Sequence, residues 1–233
     1  LLLCAAGFAS LVVGLGNWSS YKFVSVPVLG LVVGGLGFLL LFVKRQQQLS
    51  VPFLNLKAFA NLEFRLSVLS SMLIYCSMMA VSTLLPLYNQ SLRGVSATTS
   101  GLIMMPGSLV TALISPVAGK IYDRIGIRKL YLIGGFLILT GHISFCLLTT
   151  DTPVAIISVL FLVRQLGIGM LMMTTVTWGM STLQGEMISD ETAIISSLRT
   201  VSGAIGSAVF VSIMSAVAGR SAVAAMMCGI RAA

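Results

Sequence analysis

Long apolar runs, repeated along the whole chain and separated by short polar links, constrain this sequence more than any other feature in it. A helix rises ~1.5 Å per residue, so roughly 18–20 apolar residues cross a ~30 Å hydrocarbon core. No water satisfies backbone groups there, which leaves helices or closed barrels as the only spanning structures. These runs are too long and too continuously apolar for barrel strands, whose side chains alternate in character. The fold class is therefore all-α, a polytopic transmembrane helical bundle. Composition agrees: 57% of residues are hydrophobic and 9% charged, too few charges to clothe a soluble surface.

Seven spans are predicted: Leu1–Gly16, Val24–Val43, Leu66–Tyr88, Thr99–Ala118, Leu130–Leu148, Val154–Met180 and Ala193–Ala218. The net charge of +8 does not point to nucleic acid, because the basic residues cluster in links, where the positive-inside rule puts them. Lys44, Arg45, Lys57 and Arg65 mark one cytoplasmic link, and Lys120, Arg124, Arg128 and Lys129 another. The links around Ser19–Lys22, Gln90–Ser96 and Thr149–Pro153 then face outside. The Gln184–Thr192 link must be cytoplasmic despite its acids, which count little in the rule. Residues 46–65 read either as a short interfacial helix, with Pro52 in its first turn, or as a plain linker. Leu1 lies already inside an apolar run, with no initiator Met and no signal-peptide features, so the start reads as a truncation. Cys4, Cys76, Cys146 and Cys228 have no metal-ligand spacing and read as small packing residues. Gly30 and Gly34, and a Ser/Thr/Ala stripe from Ser196 to Ala216, suit close helix approach. Pro106 and Pro116 allow bends in the fourth span.

The most specific segment is Gly119-Lys120-Ile121-Tyr122-Asp123-Arg124-Ile125-Gly126-Ile127-Arg128-Lys129. Gly119 suits close backbone packing, and Gly126 permits a turn that a side chain would oppose. Asp123 can accept from exposed N–H groups or pair with Arg124, Arg128 and Lys129. The segment resembles the G-x-x-x-D-R-x-G-x-R-K signature of the major facilitator superfamily, which joins two helices of a six-helix half. Leu160–Gly169, containing Arg164, looks like that family's arginine-bearing helix motif, one residue short of the usual Arg-to-Gly spacing. The stretches Asn61–Tyr88, Ser96–Pro106 and Ser115–Gly126 look like the C-terminal half of fourteen-span drug:proton antiporters.

That resemblance implies an organisation: residues 1–45 as two linker transmembrane helices, 46–65 as a cytoplasmic interfacial segment, and 66–233 as an incomplete C-terminal half with five of six helices. It also implies roles. Asp123, Arg124, Arg128 and Lys129, with Gly119 and Gly126 as packing residues, would form a latch that favours one state of an alternating-access cycle. The antiporter signature of the N-terminal half falls outside the chain.

Single residues add candidates. Arg164 sits in an apolar run, where a charge faces a cavity or a partner. It reads either as functional or as a structural pin. His142 could relay protons, though bonding across helices is the simpler role. Met78, Met79, Met104, Met105 and Met172 could line an adaptable apolar pocket, or simply pack. Arg199 should snorkel to the cytoplasmic interface, and Trp178 should anchor a span end. The six acids, Glu63, Asp123, Asp151, Glu186, Asp190 and Glu191, all fall in links or at span edges. A proton-carrying acid would then belong to the missing N-terminal half.

The reading is a fragment of a secondary transporter in the plasma membrane, exporting small hydrophobic or cationic compounds in exchange for protons. Its implied partners are the bilayer, the missing half, substrates and protons. The alternatives are a facilitator of another small solute, or a non-transporting seven-helix membrane protein. No metal or cofactor site is expected. No H-E-x-x-H, G-x-S-x-G or Walker sequence supports an enzyme or an ATP-driven pump.

Overall fold

The computed structural model describes residues 2–16, 26–48, 59–149, 152–181 and 188–218. Helices α1 (Leu2–Gly16) and α2 (Val26–Gln48) form a pair. α3 (Leu62–Leu87) follows and runs on through a π-helical turn, Tyr88–Leu92, just after Pro86. The long helical path Ala97–Cys146 is broken at Gly126, whose φ of 74° and ψ of 168° are not helical. It therefore divides into α4 (97–125) and α5 (127–146). α6 (Val154–Ser181) and α7 (Ile188–Ala218) complete the described helices. α3, α6 and the stretch 192–211 of α7 are each long and apolar enough to cross a membrane, as is the path holding α4 and α5. The chain is thus an all-α membrane bundle.

The break at Gly126 is a reversal. Along a straight helix, residues 111 and 142 would lie ~46 Å apart. Yet Thr111 donates from Oγ1 to the carbonyl of Gln165 at 3.1 Å, and His142 meets Arg164 at 3.5 Å. α4 and α5 must fold back beside the same stretch of α6. Only glycine adopts that backbone region comfortably, because a Cβ would strain it. Pro106 and Pro116 do not break α4, and Gly126 carries the whole change of direction.

α6 is the central element, with Arg164, Gln165 and 167–171 all buried. It lies so close to α5 that a Cβ at Gly167 would come 2.6 Å from the carbonyl of Gly134. Such contact is the usual driving geometry in lipid, where helices gain from packing and not from hydrophobic expulsion. Ser158 pins α6 to α4 by donating to Ile103 O at 2.8 Å. On its other side, Ser67 of α3 donates to Thr175 O at 2.6 Å. α7 packs on α3, with Gly206 against Cys76 and Ser202 donating to the carbonyl of Met72. The core has an outer cluster around Tyr88, Phe145, Ile157 and Phe161. Two clusters lie toward the other end, one around Phe64 and Ile195, the other around Leu130 and Leu171.

α3 begins at Leu62, four residues before the predicted span. The side chain of Asn61 accepts from the Glu63 N–H at 2.9 Å and caps the helix. Residues 49–58, the centre of the expected interfacial segment, lie outside the described residues.

Candidate functional site

Two groups of candidate residues occupy opposite ends of α5. One is the hairpin. Asp123, Arg124, Arg128 and Lys129 are all exposed around the Gly126 reversal. Among the described residues Asp123 makes no ion pair and no side-chain hydrogen bond. The expected pairing with Arg124, Arg128 or Lys129 is not formed. Exposed pairs are worth only ~0–1 kcal/mol, so solvent competes easily for each charge. The space beside Gly119 is open, and no neighbouring helix in the described structure uses it. The hairpin thus presents an unpaired carboxylate among four cations on a rigid turn.

The other group is buried. Arg164 is 0% exposed, the largest fully buried side chain described. It sits about ten residues into α6, or ~15 Å from the start of that helix. Its Nη2 donates to the Ser77 carbonyl at 2.8 Å and to Ser77 Oγ at 3.1 Å. Nη1 donates to Gln165 Oε1 at 3.1 Å, and Nε points at His142 Nε2, 3.5 Å away. His142 Nδ1 lies 2.7 Å from Ile138 O. A carbonyl only accepts, so the proton is on Nδ1 and Nε2 is the acceptor. Ser77 Oγ, 2.8 Å from Nε2, can then accept from Arg164 and donate to His142. The geometry makes a directed chain from guanidinium to hydroxyl to neutral imidazole.

The two intramembrane candidates therefore meet. Among the described residues no carboxylate belongs to the group. Glu63 and Asp123, the acids whose side chains are described, are exposed at the hairpin end of the bundle. The charge is held by neutral dipoles, each worth more in a low-dielectric site than in water. Gly141 makes this possible: a Cβ there would come 2.5 Å from Arg164 Cβ and 3.1 Å from its Cα. Ser77, Gln165 and Gly141 were not singled out from sequence. Gln165 adjoins Arg164, but Ser77 and Gly141 come from other helices and carry no local signal.

The methionines are more dispersed. Met79 lies against Gly203 of α7, and Met104 packs on the outer core. Met105 is 60% exposed, while Met78 and Met172 are half-buried. The guanidinium of Arg199 lies over the Tyr75 ring at 5.1 Å. Among the described residues no group of His, Cys, Asp and Glu could hold a metal.

Comparison with known proteins agrees with this architecture. The family model described as Major Facilitator Superfamily matches residues 2–211. An uncharacterized MFS-type transporter of Bacillus subtilis, YcnB, is 38% identical over 215 residues, covering 92% of this chain and 46% of that protein. The lincomycin resistance protein LmrB of the same organism is 38% identical over 213 residues, 90% of this chain and 43% of LmrB. The multidrug transporter protein MdtP of Bacillus subtilis is 28% identical over 221 residues, 91% of this chain and 40% of MdtP. The chain spans less than half the length of these relatives.

Proposed function

The chain belongs to the major facilitator superfamily, a family of multi-pass membrane transporters of the plasma membrane, and from that premise we propose that it forms the C-terminal half of a proton-coupled multidrug efflux antiporter. The substrates are small hydrophobic or cationic compounds, and the resistance and multidrug relatives support that class. The partners are the bilayer, an N-terminal half of the same polypeptide, and protons. α1 and α2 act as the two extra helices between halves. Nothing in this reading calls for nucleic acid, a metal or an enzymatic step.

The observation that carries the reading is the hairpin. Its glycine reversal fixes a turn, and its exposed Asp123 has no partner among the described residues. Such a carboxylate is set to pair with groups on another part of the transporter in one state and to release them in the other. Gly119, with open space beside it, is where a second helix can approach. Arg164, held beside the neutral His142, supplies a fixed positive potential within the membrane. A proton-carrying acid lies in the N-terminal half, because the carboxylates described here are exposed at one end. Met78, Met79, Met104, Met105 and Met172 contribute apolar wall where they face the cavity between halves.

Asp123→Asn in the full-length protein tests the latch. Export of a fluorescent lipophilic cation from cells should fall about tenfold, the scale of one lost charge-assisted pair. Unfolding in detergent should be unchanged, since the exposed side chain makes no hydrogen bond or ion pair with any described residue. Undiminished export with Asn at this position would remove the latch from the reading.

A further inference from the structure

Tyr75 of α3 and Arg199 of α7 meet within the bundle, on the side of α3 turned away from Ser77. The Arg199 guanidinium lies 5.1 Å from the centre of the Tyr75 ring, within the ~6 Å reach of a cation–π contact. Tyr75 stands ~20 Å along α3 from its start at Leu62, well inside a helix long enough to span a bilayer. The ring is seated by Gly203. A Cβ there would come 2.7 Å from both Cδ1 and Cε1 of Tyr75 and 2.8 Å from Cγ of Met79. One edge of the ring thus rests on bare α7 backbone, with the soft Met79 side chain beside it.

The two arginines within the spans are held very differently. Arg164 is 0% exposed and donates hydrogen bonds to Ser77 and Gln165. Arg199 and Tyr75 are only half-buried. Among the described residues the Arg199 guanidinium makes no hydrogen bond and no ion pair, and the ring is its one partner. A charge inside a span needs a partner, and a π-face satisfies none of a guanidinium's five donors. Arg199 is therefore easily displaced. Its stem leans toward the start of α7, as helical side chains do, and can carry the head that way. The ring left behind attracts any cation, whether or not that cation can donate a hydrogen bond.

The surroundings suit a solute. Leu66 and Leu73, which are exposed, lie about 180–200° around α3 from Tyr75. Near Arg199 the exposed residues of α7 are instead Ser196, Ser197 and Thr200, whose hydroxyls fit a polar cavity better than lipid. Exchanging Arg199 for another cation also adds no net charge near Arg164.

We propose that the Tyr75 ring is the cation-recognising face of the substrate site and that Arg199 is a built-in stand-in, which covers the ring when the site is empty and swings aside when a lipophilic cation takes its place. The class that fits best is a quaternary or charge-delocalised cation with no N–H, because the ring face attracts charge without offering an acceptor atom. The inference rests on the efflux reading for the substrate's positive charge. It adds the residue that recognises that charge and the residue that competes with it.

The test measures equilibrium binding of tetraphenylphosphonium, and of the equally shaped anion tetraphenylborate, to the full-length protein in nanodiscs, with protein-free nanodiscs as the blank. Tyr75→Leu should weaken tetraphenylphosphonium binding about tenfold, the scale of one desolvated cation–π contact. Tyr75→Phe keeps the ring and should bind as the wild type does. Arg199→Gln removes the competitor and should tighten binding about tenfold. That gain should vanish when Arg199→Gln is combined with Tyr75→Leu, since the two residues act through one contact. A gain that persists without the ring would overturn the proposal, because Arg199 would then act only through its charge at a distance. Tighter binding of tetraphenylborate than of tetraphenylphosphonium would overturn it by showing an anion site. Wild-type binding of the cation that neither substitution alters would overturn this inference alone, whereas a wild type that binds no lipophilic cation would overturn both it and the cationic-substrate reading.

Discussion

Replacing Arg164 by Met separates a functional cation from a structural pin. Removing an intramembrane charge relieves a cost of about 2.5–3.5 kcal/mol on insertion scales. Met matches the length and apolar character of the arginine stem, so repacking costs under about 1.5 kcal/mol. The remaining loss is in hydrogen bonds. Ser77 Oγ keeps His142 Nε2 as a partner at 2.8 Å. Gln165 Oε1, now bonded by Nη1 at 3.1 Å, is left without that donor, a penalty of about 1–3 kcal/mol. The opposing terms are of similar size, and the net change in stability should stay within about 2 kcal/mol of zero. Transport should respond differently, because the potential that Arg164 projects is gone; a loss of about tenfold or more is expected. The assay pairs detergent unfolding of the full-length protein with drug efflux from proteoliposomes. A drop of about 3–5 kcal/mol in stability, the size seen when a buried charge network is broken, would refute the reasoning, and Arg164 would be a pin.

Gly141→Ala should destabilise by about 1–3 kcal/mol through overpacking, because the new methyl meets Arg164 Cβ and Cα and not a flexible tip; Gly135→Ala, nearly two turns earlier with open space beside it, is the neutral control in the same unfolding experiment. Gly126→Ala should cost about 1–3 kcal/mol, since φ 74° and ψ 168° lie in a region nearly reserved for glycine; a smaller effect would mean that the hairpin relaxes into another turn. Asp123→Asn and His142→Ala should be additive in unfolding, being far apart on the fold, yet non-additive in efflux.

How much of this was legible in the sequence depends on whether the signal was local. Apolar runs and basic links marked the helices, since span length and charge placement are properties of contiguous residues. The reversal at Gly126 was legible for the same reason: glycine between two charged clusters has a backbone consequence. Helix ends were less so. The Asn61 cap moved the start of α3 to Leu62, and a π-helical turn after Pro86 carried its other end to Leu92. Arg164 and His142 were each visible as misfits in apolar runs, but their meeting was not. It depends on the fold-back of α5 beside α6, which brings His142 to the guanidinium, and on the packing of α3 against α6, which brings Ser77 from 87 residues away in sequence. Pairing of Asp123 with the nearby bases was expected from proximity and is absent, because proximity at an exposed tip yields almost no net energy.

α5 is the element that connects the two candidate groups of the proposed transporter. Arg128 stands at its first turn and His142 near its last, ~21 Å apart along one helix. The helix is clamped to α6 by backbone-level contact at Gly134 and Gly141, which leaves little room for sliding. It touches α3 through Ser77 and His142, while α3 and the hairpin are otherwise nearly separate. In the proposed transporter, a force applied at the hairpin, as by a partner binding Asp123, would tilt α5 about the α6 contacts. That motion would be felt where α5 meets α3, at the Ser77 hydroxyl between Arg164 and His142. Stiff packing on one side and a sparse polar contact on the other is what a lever needs. Close packing against α3 as well would have locked it, and without the clamp on α6 a displacement at Asp123 would be lost as bending of the hairpin.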